Sequence, residues 1–87
     1  MTEPYEVKIV GAVKRQLRRI SKNNQKRILE KIEELVFNPR PYGYAKLESS
    51  DELYRVRIGD YRIIYQINDK ILLVIVLEIG HRREIYR

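Results

Sequence analysis

The sequence predicts an α+β fold: an antiparallel four-stranded sheet with an N-terminal helical hairpin packed on one face, in the order β-α-α-β-β-β. Three observations predict it. The hydrophobic period is that of a strand over residues 5–10, becomes helical over residues 11–36, and returns to strand spacing from residue 53. The stretch NPRPYGY separates the two regimes, because two prolines and a glycine cannot continue a helix. Short polar pairs, GD and ND, then divide the last three apolar-rich runs, and tight turns force antiparallel neighbours. At 87 residues the chain has room for one domain, residues 1–87, with one small core.

The elements follow in order. In the first strand, Tyr5, Val7 and Ile9 alternate with Glu6 and Lys8, the pattern of a half-buried strand. In GAVKRQLRRI, Val13, Leu17 and Ile20 fall on one helical stripe. Ser21 is placed to cap a second helix from about Lys22 to Val36, with Ile28, Ile32 and Leu35 as its stripe and Leu29 and Val36 widening it. ESSDE reads as a polar loop. LYRVRI and YRIIYQI alternate, and ILLVIVLEI is apolar on both faces, which makes it the central strand.

Composition narrows the function. The chain has no Cys, so a disulfide framework and a zinc-thiolate site are both excluded, and a cytoplasmic location is expected. MTEPYEVKIV lacks the charged start and apolar run of a signal peptide, and the run from Ile71 to Leu77 is too short to cross a bilayer. The net charge of +6 favours a polyanionic partner.

Strand parity sorts the charges. Tyr54, Val56 and Ile58 share one face of LYRVRI, and Arg55 and Arg57 share the other with Leu53. On YRIIYQI, Tyr61, Ile63, Tyr65 and Ile67 share one face, and Arg62 shares the other with Ile64 and Gln66. With helices over the apolar set, Arg55, Arg57 and Arg62 converge on an open face that carries no carboxylate from these strands. The tail GHRREIYR begins beside the same sheet and is expected to add His81, Arg82, Arg83 and Tyr86. Guanidinium groups bind phosphate through a planar fork, and tyrosines stack on unpaired bases. The helices form a second basic region, in which Lys14, Arg15, Arg18, Arg19, Lys22, Lys26, Arg27 and Lys31 outnumber Glu30, Glu33 and Glu34.

The available chemistry is narrow. No carboxylate pair falls at metal-ligand spacing, and neither a phosphate-cradling glycine loop nor a Ser-His-Asp arrangement is present. Arginines, one histidine and tyrosines stabilise a charged phosphoryl transition state and move a proton. They do not readily generate hydroxide. A nuclease of this composition therefore takes its nucleophile from the substrate, which points to RNA and its 2′-hydroxyl.

KLESSDELYRVRIGDYRIIYQINDKILLVIVLEIGHRREIYR, with the β-α-α start, resembles the RelE/ParE superfamily of bacterial and archaeal toxins, in particular its RelE-type mRNA interferase branch. The resemblance implies the toxin of a type II toxin–antitoxin system, a ribosome-dependent endoribonuclease that inhibits translation by cleaving translated mRNA in the ribosomal A site. It implies that Arg55 contacts RNA or ribosomal RNA, Arg57 lies near the attacking 2′-hydroxyl, Arg62 stabilises the phosphate charge, Arg82 assists the leaving 5′-oxygen, and Tyr86 orients or stacks on the substrate. The catalytic candidates are thus Arg57, Arg62, His81, Arg82 and Tyr86. The RNA- or ribosome-binding candidates are Arg55, Arg83, Lys46, Arg18, Arg19, Lys22 and Lys26. No metal or other cofactor is expected. The expected partners are a RelB-like antitoxin, mRNA and ribosomal RNA, with operator DNA reached only through the antitoxin and no membrane.

The chain departs from the best-known RelE enzymes in two ways. It carries arginine rather than lysine at Arg55 and Arg57, and Glu48 stands where relatives often have a basic residue. Arginine does not give up its proton near neutrality. Histidine is the side chain that ordinarily titrates near neutrality, so His81 becomes the first candidate for general base, and Tyr86 the second. The alternatives are a ParE-like DNA gyrase poison, which shares the fold, and an inactive, binding-only member.

Overall fold

In the computed structural model, which describes residues 3–48 and 52–81, seven elements follow in the order β1 (Glu6–Ile9), α1 (Gly11–Arg19), α2 (Lys22–Phe37), β2 (Ala45–Lys46), β3 (Leu53–Ile58), β4 (Tyr61–Asn68) and β5 (Leu73–His81). The strands form one five-stranded sheet in the order β1-β5-β4-β3-β2. α1 packs on β5, and α2 packs on β1 and β3, so both helices cover the same face. Among the described residues no helix is long and apolar enough to cross a membrane.

The helices form where the stripe and the cap place them. The Ser21 side chain accepts a hydrogen bond from the Asn24 backbone N–H, satisfying one of the free donors of the first turn of α2. Val13, Ile28, Ile32 and Leu35 are buried. They meet Tyr54, Val56, Ile58, Ile63, Tyr65, Ile67, Val74, Val76 and Ile79 from the sheet in a single core. Each such aliphatic side chain contributes about 1.5–3 kcal/mol when fully buried. Leu29 was expected to widen the buried stripe but is exposed, since each helical residue advances about 100° and the step from Ile28 carries it off the covered face.

Several expectations for the sheet are corrected. The sheet has five strands and is mixed rather than four-stranded and antiparallel: β1 runs parallel to β5, with Val7 beside Val74. No tight turn joins those two strands, so nothing local sets their direction. The extra strand, β2, pairs Ala45 with Arg55 and Lys46 with Tyr54. β5 lies inside the sheet, as its two apolar faces require, but β4 takes the middle place. The β3–β4 hairpin closes through Gly59 and Asp60 as expected, with Gly59 at a positive φ of 57°. The β4–β5 connection is longer than the ND pair. It spans residues 69–72, where the Asn68 side chain accepts from the backbone N–H groups of Lys70 and Ile71.

One irregularity changes which way side chains point. Ile64 pairs with Glu78, but Tyr65 pairs with Val76, so Leu77 is an extra residue on β5. A bulge of this kind inverts the alternation beyond it. Val74 and Val76 face the core before the bulge, Leu77 and Glu78 are both exposed, and Ile79 returns to the core after it.

A basic cleft on the open face of the sheet

The face of the sheet away from the helices carries a cleft of about 340 Å³ lined by Tyr42, Gly43, Ala45, Val56, Arg55, Arg57 and Arg62. Its volume lies at the lower end of the roughly 300–1,000 Å³ common for ligand sites. The three arginines meet here because two strands with the same parity are held in register by the Gly59–Asp60 turn. Arg57 and Arg62 are direct cross-strand partners. Side chains in such pairs have Cβ atoms about 4.5–5.5 Å apart, and like charges placed there repel. Binding of an anion between them relieves that repulsion. On the other side of Arg62 its strand partner is Gly80.

The depths of the three differ. Arg57 is exposed, Arg55 is half-buried and Arg62 is buried, at 3% exposure. The expectation of an open-surface Arg62 is therefore corrected: it sits on the middle strand, flanked by β3 and β5, and forms part of the cleft lining.

His81 does not join this group. Beyond the bulge its side chain lies on the helix side, where its ring meets Tyr61 edge-on at 5.5 Å between centroids. There it lines a separate cavity with Gln16, Arg19, Ile20, Tyr61, Ile79 and Gly80. Lys46 is also apart from the arginines, since it pairs with Tyr54 and so points to the face opposite Arg55. Arg18, Arg19, Lys22 and Lys26 are exposed on the helical layer, across the sheet from the cleft. Arg82, Arg83 and Tyr86 lie outside the described residues.

The sequence reading passed over the loop that forms one wall of the cleft. Tyr44 donates its backbone N–H to the Pro41 carbonyl at 3.0 Å, and Gly43 has a φ of 89°. This is the pattern of a type II turn, with Tyr42 and Gly43 as its central residues. PYGY carried that signal, a residue pair ending in Gly between turn-flanking positions, although nothing local says that the turn stands beside the arginines. The loop is tied down at several points. Tyr65 is fully buried and donates its hydroxyl to the Pro39 carbonyl at 2.7 Å. Arg40 forks onto Asp69 at 2.9 and 3.2 Å, and its guanidinium lies 5.4 Å from the centre of the Tyr54 ring. Tyr5 donates to the same Asp69 carboxylate at 2.6 Å.

These contacts perturb the titration of their members. Arg40, and after it Tyr5, hold the Asp69 carboxyl below its ordinary value. The Tyr5 phenol is raised, chiefly by its bond to Asp69. Burial pushes the Tyr65 phenol well above its ordinary value, against a smaller opposing pull from Arg40. Among the described residues no three His, Asp or Glu side chains group to hold a metal ion.

Comparison with known proteins agrees with this architecture. A family model described as the ParE toxin of type II toxin–antitoxin system, parDE, matches residues 7–86. The chain is 34% identical over 86 residues to the putative toxin RelE1 of Methanocaldococcus jannaschii, covering 95% of this chain and 96% of that one. It is 29% identical over 89 residues to toxin RelG of Mycobacterium tuberculosis, covering 97% and 98%. The archaeal RelE–RelB complex from Pyrococcus horikoshii superposes with a TM-score of 0.82 at 36% identity, covering 91% of this chain and 96% of that one. With matches of this extent to a toxin family model, to RelE1 and to an archaeal RelE structure, the chain belongs to the RelE/ParE superfamily of type II toxin–antitoxin toxins, on its RelE-type branch.

Proposed function

We propose that this chain is a ribosome-dependent endoribonuclease that cleaves translated mRNA by attack of the RNA's own 2′-hydroxyl. The observation that carries the reading is the direct opposition of Arg57 and Arg62 in one cleft with Arg55. A scissile phosphate bound between Arg57 and Arg62 gains negative charge in the transition state, and preorganised guanidinium donors stabilise that charge more than the ground state. The 2′-oxygen attacks phosphorus, the 5′-oxygen leaves, and the products are a 2′,3′-cyclic phosphate and a 5′-hydroxyl.

Proton transfer is the open role. Arginine does not titrate near neutrality, and His81 on the helix side is poorly placed to reach a phosphate on the arginine face. The role falls to Tyr86, with Arg82 as the donor beside the leaving oxygen. The basic helical surface supplies long-range attraction to ribosomal RNA. The partner that restrains the toxin is a RelB-like antitoxin, a reading supported by the solved RelE–RelB complex of Pyrococcus horikoshii. Operator DNA is contacted only through that antitoxin, and the site of action is the cytoplasm.

The ParE description of the matching family model favours a second reading, a DNA gyrase poison. One experiment separates them. The chain is induced alone, and RNA 5′-ends are mapped on translated and untranslated messages. Cuts confined to translated messages, bearing 5′-hydroxyl ends, support the nuclease. A 5′-phosphate end refutes the 2′-hydroxyl mechanism. DNA breaks with intact messages establish the gyrase reading.

A further inference from the structure

We infer that Tyr42 is a stacking platform for an unpaired nucleobase next to the phosphate held by Arg57 and Arg62. Tyr42 is fully exposed, whereas Tyr54 and Tyr65 of the same chain are in the core. It nonetheless lines the arginine cleft. An exposed ring on a floppy loop would be unremarkable, but this one is mounted on a fixed support. Pro39 and Pro41, on either side of Arg40, are buried. The Tyr65 hydroxyl holds the Pro39 carbonyl, the Arg40–Asp69 fork ties the loop to the β4–β5 connection, and the Tyr44 ring lies 6.0 Å from that of Tyr54. The backbone is thus ordered before any ligand arrives, which lowers the entropic cost of binding.

The chemistry of the neighbours identifies the ligand. Guanidinium groups bind phosphate, and an exposed phenol ring beside them offers a flat apolar face. A group that is anionic at one end and flat at the other is a nucleotide. Its base must be unstacked for the ring to reach it, so the ligand is single-stranded. Stacking uses the face of the base and not its edges, so Tyr42 supplies position and affinity with little choice among bases.

The inference rests on the nuclease reading for its substrate, and the test separates the two. Cleavage is measured in single turnover on ribosomes programmed with a message in which the nucleotide beside the cut site either carries its base or is abasic. On the intact message Tyr42→Ala and Tyr42→Leu lower the rate at subsaturating toxin, still in excess of ribosomes, by about 10- to 100-fold, the range of one lost base stack. Tyr42→Phe, which keeps the ring, loses less than either. On the abasic message the parental chain and Tyr42→Ala cut at equal rates. Gly43→Ala places its Cβ in open space but strains a residue at φ 89°, so it lowers the rate in the same base-dependent manner.

A second arm needs no cleavage. The chain has no Trp, so Tyr42→Trp introduces a lone reporter, and a 2′-O-methyl single-stranded RNA oligonucleotide quenches it at low salt. Loss of cleavage by Tyr42→Ala that is equal on intact and abasic messages overturns the inference while leaving the nuclease reading intact. Unchanged cleavage with weakened antitoxin binding overturns it in favour of a protein contact. A parental chain that cuts no message overturns the nuclease reading, and the tryptophan arm then decides the stacking by itself: quenching upholds it and its absence ends it.

Discussion

Tyr65→Phe removes one oxygen atom from the middle of the molecule, and its effect can be worked out from the structure. The phenol is fully buried, and its hydroxyl donates to the carbonyl of a buried proline, Pro39. Deleting the hydroxyl leaves that carbonyl without its donor, and an orphaned buried acceptor costs about 1–3 kcal/mol. For a domain of this size, a loss of about 2 kcal/mol lowers Tm by roughly 8–16 °C. The pH dependence adds a second signature. Because the phenol's pKa is raised in the folded state, its contribution is complete below the unfolded value of about 10 and is lost as pH rises towards the folded value. The parental chain therefore loses about 1.4 kcal/mol per pH unit above about pH 10 from this group, and the Phe variant does not. Urea unfolding of both chains at several values between about pH 7 and 11 measures the gap. It should be largest near neutrality and shrink on the alkaline side. A gap below about 0.5 kcal/mol at neutrality, the size of an ordinary surface substitution, would refute the buried hydrogen bond. A gap that stays constant into alkali would refute the buried neutral phenol.

Arg62 and Arg57 should part company in stability while agreeing in function. Arg62→Ala deletes a buried stem, worth about 0.8 kcal/mol per methylene, whereas Arg57→Ala removes an exposed side chain that opposes a like charge and should leave Tm unchanged or raised. Both should slow single-turnover cleavage by about 100-fold or more, and Arg62→Lys should not restore it, since a point charge cannot reproduce the fork. Asp69→Asn tests the tie that holds the loop. Its carboxyl is depressed, so its contribution is present above the unfolded pKa of about 4 and disappears as pH falls through the folded value. Both partners of the pair are partly exposed, so the loss near neutrality should not exceed about 1 kcal/mol, and the acid limb of a melting-versus-pH curve should flatten. His81→Ala should leave the pH profile of cleavage unchanged. Flattening of its acidic limb would return His81 to the reaction despite its place beside Tyr61.

What the sequence determined by itself was whatever depends on near neighbours. The helical stripe of Val13, Ile28, Ile32 and Leu35, the Ser21 cap and the Gly59–Asp60 hairpin are all local, and each formed where its residues placed it. The hairpin carries the arginine pair with it, because a two-residue turn sets the register that puts Arg57 opposite Arg62. The tertiary structure decided what counting along one strand cannot reach. β1 has no turn to choose its partner, and it settled parallel to β5. Leu77 bulges out of β5, so parity counted from Val74 no longer holds at His81, and the histidine turned away from the arginines. Arg62 is buried because β4 became the middle strand, a property of the sheet order and not of YRIIYQI. Tyr42 stands at the cleft because Tyr65 and Asp69, both distant in the chain, hold its loop through the Pro39 carbonyl and Arg40. Local chemistry selects turns, caps and faces within a few residues. Depth, strand partners and the meeting of separate segments are fixed only when the whole sheet closes around one core.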